Sequence, residues 1–456
     1  MRITVLNGSP KGSVSVTMQY VKYIQKHLPQ HDFTVIDISH NIKGVEREAE
    51  RFDDIVSQIR ASDGVLWAFP VYYLLVPSQY KRFIELIFER GAGEAFAGKH
   101  AAVLTTSIHY YDTVARDYMR AVCDDLNMNY VDDFLADMND LERPEHRKNL
   151  VVFAERLIHA IEERRVARRR YEPVVHRPVK YEPGAVDEVT KTNPRRVVVM
   201  VDGLDSNSNL AGMVDVFRKS VAAQVDIVDI GATKLKGGCL GCLNCAYDNQ
   251  CVYKDDMRAT YEGRVLTADA VILAGTIHDR HLSSRWKLFF DRSFYRGHIP
   301  FFGGKLDGAI ISGPLRQNAT LNQWLDMFLE SYKNTQVGVV TDEYDSSAEI
   351  TGRLQGFAVE LEWVLTNAYE KPQTFYGMSS RLIFRDFVYL SKGVFLADHK
   401  HYKSQGFYDF PQKKLKMRAN SLMLGSMFRI KPVRTQIQRE MKHHMVSGLE
   451  RVVRES

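Results

Sequence analysis

Four of the chain's five cysteines fall within a few residues of one another, as Cys239-Leu-Gly-Cys242-Leu-Asn-Cys245 and, five residues on, Cys251. Thiolates are soft ligands. Three of them at intervals of three residues, with a fourth close behind, can wrap a compact 4Fe–4S cubane, as bacterial ferredoxin runs do. Gly237, Gly238 and Gly241 supply the backbone freedom that so tight a loop needs. A structural zinc site more usually pairs two Cys-x2-Cys elements across a longer loop, and zinc remains the alternative at this point. Five cysteines in 456 residues are too few for a disulfide framework. The fifth, Cys123, lies on an apolar helix face and reads as a small buried hydrophobe.

The second place with chemical character is the run Asn7-Gly8-Ser9-Pro10-Lys11-Gly12-Ser13-Val14-Ser15-Val16-Thr17, between an apolar strand and a helix. Backbone N–H groups at such a junction converge on an anion, and the helix dipole adds positive potential there. Ser9, Ser13, Ser15 and Thr17 add hydroxyl donors and Lys11 adds charge, so a phosphate is the expected occupant. The pattern G-x-x-x-x-G-K-[ST] is absent, and nucleoside triphosphate hydrolysis is not supported. No G-x-G-x-x-G follows a strand either, so a nicotinamide dinucleotide would have to stack transiently on another cofactor. No Ser-His-Asp or paired-carboxylate arrangement stands out, and His278 and His281 read as surface histidines.

The run at Gly8–Thr17 is similar to the phosphate loop of flavodoxin-like NADPH-dependent FMN reductases, with Val16 in place of that family's Asn. The second signature of the family is matched by Pro70, Val71, Tyr72, Pro77, Lys81, Phe83, Ile84 and Glu85, and a third loop by Thr105, Thr106, Ser107 and Ile108. The resemblance implies FMN held by Ser9, Lys11, Ser13, Ser15 and Thr17 at its phosphate, and by Pro70, Val71, Tyr72, Tyr73, Thr106 and Ser107 around its ring. The cysteine spacing, followed by Lys254-Asp255-Asp256-Met257, resembles that of iron–sulfur flavoproteins. That likeness implies a 4Fe–4S cluster on Cys239, Cys242, Cys245 and Cys251.

The elements that must position these residues repeat. Strands are expected at 2–6, 33–36, 64–68, 101–105 and 130–134, alternating with helices at 14–27, 46–60, 78–90, 113–126 and 148–167. The same order restarts with strands at 197–201, 225–230, 270–274, 307–311 and 337–340, and helices at 210–221, 256–265, 283–295, 319–332 and 348–367. This α/β pattern predicts two tandem, flavodoxin-like, doubly wound parallel five-stranded sheets plus a mainly helical C-terminal extension. The expected domains are 1–165 for FMN, a basic linker over 166–195, 196–372 for the cluster, and a basic aromatic extension over 373–456. In the second repeat the phosphate loop carries Asp202 and Asp205, which would oppose a phosphate, and the first repeat has no cysteine loop. FMN is therefore expected in the first half and the cluster in the second.

The net charge of +5 is uneven: 16 Lys+Arg against 6 Asp+Glu from residue 373 onward, and 10 against 4 over 164–196. The two repeats carry the balancing negative charge. Complementarity between these pieces is favoured over nucleic acid as a partner. With 45% hydrophobic residues and no apolar run near the roughly 20 residues of a membrane span, a cytoplasmic protein is expected. The function this implies is an oxidoreductase passing electrons among NAD(P)H or a reduced carrier, FMN and the cluster to a small-molecule or protein acceptor, with a homo-oligomer expected. The alternative is a non-catalytic flavodoxin-type electron carrier or redox sensor.

Overall fold

The computed structural model describes residues 1–175 and 179–455; Pro178 of the linker lies outside them. The chain divides into two compact units, Met1–Lys400 and His401–Ser456.

The first unit holds both repeats. In the first, β1 (Arg2–Asn7), α1 (Val16–His27), β2 (Asp32–Asp37), α2 (Ile38–Arg47), α3 (Ala49–Arg60), β3 (Gly64–Pro70) and α4 (Ser78–Glu89) are followed by β4 (His100–Ser107), α5 (Asp112–Asp125), β5 (Asn129–Asp137) and α6 (Pro144–Glu162). The strands form one parallel sheet in the order β2-β1-β3-β4-β5. Both faces are covered, which is why the central strands read as continuous apolar runs. Along β3, Val65 and Trp67 enter the core under α3, α4 and α5, while Leu66 and Ala68 enter the core under α1 and α6. The single helix expected over 46–60 is two helices, broken where Glu48 adopts an extended backbone.

The second repeat runs β6 (Asn193–Val201), α7 (Asn209–Ser220), β7 (Ala223–Asp229), the cysteine loop, α8 (Met257–Thr260), β8 (Ala270–His278), β9 (His281–Leu282), α9 (Ser284–Arg292), β10 (Leu306–Ser312), α10 (Ala319–Leu329), β11 (Thr335–Thr341) and α11 (Ser347–Asn367). Its five parallel strands follow the same order, β7-β6-β8-β10-β11, and the short β9 adds a sixth, antiparallel to β8. The helix expected over 256–265 is one α-turn that continues as a π-turn at Tyr261–Val265. The linker is docked rather than free: Tyr181 is buried, its hydroxyl bonds Thr351 at 2.8 Å, and its N–H donates to Asn209.

The repeats meet through α4 and α9 in a reciprocal arrangement of the kind an isologous dimer uses. Each helix carries a buried Lys–carboxylate pair four residues apart, Lys81–Glu85 at 3.1 Å and Lys287–Asp291. Each carboxylate also accepts the first N–H of the other helix: Ser78 N–H to Asp291 Oδ2 at 2.7 Å, and Ser284 N–H to Glu85 Oε1 at 2.6 Å. Burial would raise the Glu85 carboxyl, but Lys81 and the Ser284 donors hold it below its usual value. Lys81 and Glu85 belong to the family signature read in the sequence, and in this fold they join the halves together with Lys287 and Asp291.

Beyond α11, α12 (Phe375–Leu390) and the start of α13 (Leu396–Ser404) belong to the first unit. The second unit contains α14 (Leu415–Phe428) and α15 (Lys431–Glu455), and its α14 has no buried residue.

Removing one partner of a buried ion pair strands the other, at a cost of about 3–5 kcal/mol. Asp291→Ala should lose about that much stability in chemical denaturation. The double change Lys287→Met with Asp291→Leu should lose less than the sum of its single changes.

Candidate functional site

The first loop is shaped by two close approaches. Gly8 donates its N–H to the Ala68 carbonyl at 2.7 Å, and a Cβ there would come within 2.8 Å of the Tyr80 ring. Gly12, at φ +60°, lets the chain turn so that its N–H reaches the Ser9 carbonyl at 3.1 Å. Ser15 then caps α1, accepting the Met18 N–H at 3.2 Å, and the positive end of the helix faces the mouth of the loop. The Thr17 hydroxyl bonds the Thr106 hydroxyl at 2.6 Å, tying this loop to the end of β4. Ser13 departs from expectation. Its carbonyl accepts a bond from Lys22 at 3.1 Å, and it takes no part in the wall of the cavity described below.

After β3, Val71 N–H bonds the Thr106 carbonyl, and Tyr72 and Leu75 exchange two backbone bonds across a tight turn. The turn places Tyr73 and Leu74 at φ 39° and 65°, the left-handed pair that a type I′ turn requires. Non-glycine residues adopt this backbone only when their surroundings compel it. Here the compulsion is the second repeat: Tyr73 stacks on Phe294 with ring centroids 4.4 Å apart, and its hydroxyl accepts from Ser293 at 2.7 Å. The second repeat makes the same turn at His278–His281, with Asp279 at φ 47° and Arg280 at φ 68°. Arg280 reaches into the first repeat to form a two-pronged bond with Asp125 at 2.7 and 2.6 Å. The reading of both histidines as surface residues holds for His278 only. His281 is 2% exposed, edge-on to Tyr118 and Trp324, and burial together with Lys81 and Lys287 keeps it neutral.

The cysteine loop lies across the first repeat. Gln79 donates to the Cys239 carbonyl at 3.1 Å and Lys43 to the Lys236 carbonyl at 2.6 Å. Gly241, at φ +61°, passes so close to Tyr72 and Lys11 that a Cβ would overlap both side chains. No disulfide forms, and the thiols already face donors: Gly241 N–H lies 3.4 Å from Cys239 Sγ, and Arg292 Nη2 lies 3.7 Å from Cys251 Sγ. Burial pushes the Cys239 thiol up to about 12 and, with the neighbouring thiols, the Cys245 thiol up to about 11. The mutual repulsion of nearby thiolates is what a bound cation relieves. Among the described residues, no three His, Cys, Asp or Glu side chains form a ready-made site for a single ion. Four free cysteines line a common cavity, with N–H groups aimed at two of the sulfurs.

That cavity encloses about 450 Å³, within the range of small-molecule and cofactor sites. Its lining includes Ser9, Lys11, Ser15 and Thr17 of the first loop and Pro70, Val71, Tyr72, Tyr73, Thr106 and Ser107 of the next two. Cys239, Cys242, Cys245 and Cys251 line the same cavity. Phe294, His298, Phe384, Phe387 and Phe395 complete it, and sequence reasoning did not assign them to the site. The interleaved aromatics of the C-terminal segment were a visible signal, but nothing in their spacing showed what they would cover. His298 is fixed there by Asp398, which accepts its backbone N–H at 2.9 Å and faces its Nδ1 at 2.8 Å.

The equivalent crevice of the second repeat carries carboxylates that are already hydrogen-bonded. Asp202 bonds the Ser283 hydroxyl, and buried Asp342 accepts from Ser312, Gly313 N–H and Asn209 at 2.7–3.0 Å. The linker lies over the same loop through Tyr181.

The sequence profile of the NADPH-dependent FMN reductase family matches residues 1–140 and again residues 195–341. The iron–sulfur flavoprotein of Archaeoglobus fulgidus is 33% identical over 106 residues, 23% of this chain and 47% of the relative, so the match spans about half that protein's length. Among solved structures, an apo NADH:FMN oxidoreductase (EMOB) is similar at 19% identity, over 36% of this chain and 89% of that one, with a TM-score of 0.30. An FMN-dependent NADH-azoreductase of Bacillus anthracis in complex with FMN is 15% identical over 36% of this chain and 100% of that one, with a TM-score of 0.27.

Replacing an N-cap serine by alanine costs about 1 kcal/mol. Ser15→Ala should lower stability by about that amount in urea denaturation.

Proposed function

Because the chain belongs to the NADPH-dependent FMN reductase family, we propose that it is a flavin-dependent oxidoreductase with FMN in its first repeat and a 4Fe–4S cluster on its cysteine loop. The observation that carries this reading is that the phosphate-type loop of one repeat and all four cysteines of the other open on one cavity. FMN exchanges electron pairs with a hydride donor and single electrons with a cluster, and that conversion is the chemistry the two groups would supply.

The chain's own residues bind, orient and shield. The capped end of α1, the hydroxyls of Ser9, Ser15 and Thr17, and the ammonium of Lys11 offer donors and positive potential to a phosphate dianion. Pro70, Val71, Tyr72, Tyr73, Thr106 and Ser107 line the cavity beside that loop and would flank the flavin ring. Cys239, Cys242, Cys245 and Cys251 offer four thiolates, whose charge is moderated by the Gly241 N–H and by Arg292. Phe384, Phe387 and Phe395 add apolar wall to the same cavity and keep water from it. The hydrogen-bonded carboxylates Asp202 and Asp342 in the equivalent crevice of the second repeat support one flavin per chain. NAD(P)H is the proposed donor, stacking transiently where the cavity opens, and the acceptor is a small molecule or a protein.

Anaerobically purified protein should carry about one FMN and about four iron per chain. Zinc without iron would remove the cluster, and two FMN per chain would remove the division between the repeats. The triple change Ser9→Ala, Ser15→Ala and Thr17→Ala should weaken FMN retention at least about tenfold, each lost hydrogen bond to a charged group being worth about 1.5–3 kcal/mol. Steady-state NAD(P)H oxidation with quinone or dye acceptors should show turnover, and negligible turnover would favour a carrier.

A further inference from the structure

We propose that Arg292 sets the reduction potential of the centre on the cysteine loop, with Asp255 as the counterweight that limits its effect. The inference rests on the reading that this loop holds an iron–sulfur cluster.

Arg292 is the last residue of α9 and is 1% exposed. Its guanidinium forms a fork with the Asp255 carboxylate at 2.8 and 2.9 Å and donates to the Gly237 carbonyl at 3.0 Å. It also lies over the Tyr253 ring, 4.5 Å from the centroid. These contacts fix the side chain, and the fixed side chain directs Nη2 at Cys251 Sγ. Asp255 is held in turn by the N–H groups of Lys236 at 3.0 Å and Met257 at 3.4 Å.

One-electron reduction adds a negative charge to a cluster and breaks no bond. A buried cation that donates to a ligating sulfur stabilises the reduced form more than the oxidised form, because the field of the guanidinium is poorly screened there. Asp255, forked to the same guanidinium and sharing Nη2 with Cys251, subtracts from that field. A group that only braced the loop would have no reason to act in the opposite sense to its own partner.

The test is an anaerobic potentiometric titration of the holoprotein, followed by the visible absorption and electron paramagnetic resonance of the cluster. Arg292→Gln should make the midpoint more negative, and Asp255→Asn should make it less negative. Each is expected to change the one-electron equilibrium about tenfold, which is 59 mV for n = 1. Should Arg292→Gln not retain iron, Arg292→Lys takes its place. It keeps the charge without the fork, and its midpoint should lie below that of the wild type by a smaller amount. Midpoints that stay put, or that move in the same direction for Arg292 and Asp255 variants, overturn the assignment while leaving the cluster in place. A wild-type chain without iron overturns the reading beneath it as well.

Discussion

The structure depends on an exchange of carboxylates between its two halves. Glu85 of one repeat and Asp291 of the other each neutralise a buried lysine on their own helix, and each accepts the first N–H of the opposite helix. A buried charge is tolerated only when it is paired and hydrogen-bonded, so the two helices can be packed this way only together. This constraint fixes the relation of the two sheets. It brings the cysteine loop of the second repeat onto Gln79, Tyr72 and Lys11 of the first. Asp291 belongs to the clamp and its neighbour Arg292 to the cysteine loop, so consecutive residues serve the join and the site.

Duplication left the backbone more alike than the chemistry. Both repeats keep the strand order and the left-handed turn after the third strand of the sheet, at Tyr73-Leu74 and at Asp279-Arg280. In the first repeat that turn offers two tyrosines to the cavity. In the second it offers an arginine to Asp125 and so becomes part of the join. Each half has given up something the other retains. The first has no cysteine loop, and the second carries Asp202 in the loop where the first has its hydroxyl-rich run.

The sheets were legible from the sequence because strands buried on both faces must be apolar throughout, and β1, β3, β6 and β8 lie close to where that pattern placed them. The cysteine spacing and the Ser/Gly loop were legible for a local reason as well, since their chemistry depends on neighbours in the chain. The break at Glu48 was hidden because glutamate is a good helix former, and the α2–α3 angle is set by packing. Lys81 and Glu85 were seen as part of a flavin-family signature, but their partners lie in the other repeat, far away in sequence. His281 was misplaced for the same reason: only the assembled halves bury it between Tyr118 and Trp324. The aromatic wall from α12 was present as composition and became a site only through tertiary contact.

The central claim is that the flavin loop and the cysteine loop of a single chain form one redox cavity. The most direct measurement mixes two variant proteins. One chain lacks the phosphate hydroxyls (Ser9, Ser15 and Thr17 to Ala), the other lacks cluster ligands (Cys242→Ser, Cys245→Ser), and electron passage from donor to cluster is followed in stopped flow. The account predicts that the mixture stays as inactive as its components, because neither chain contains both loops intact. Recovery of electron transfer on mixing would mean that the two centres meet between chains, and would contradict it.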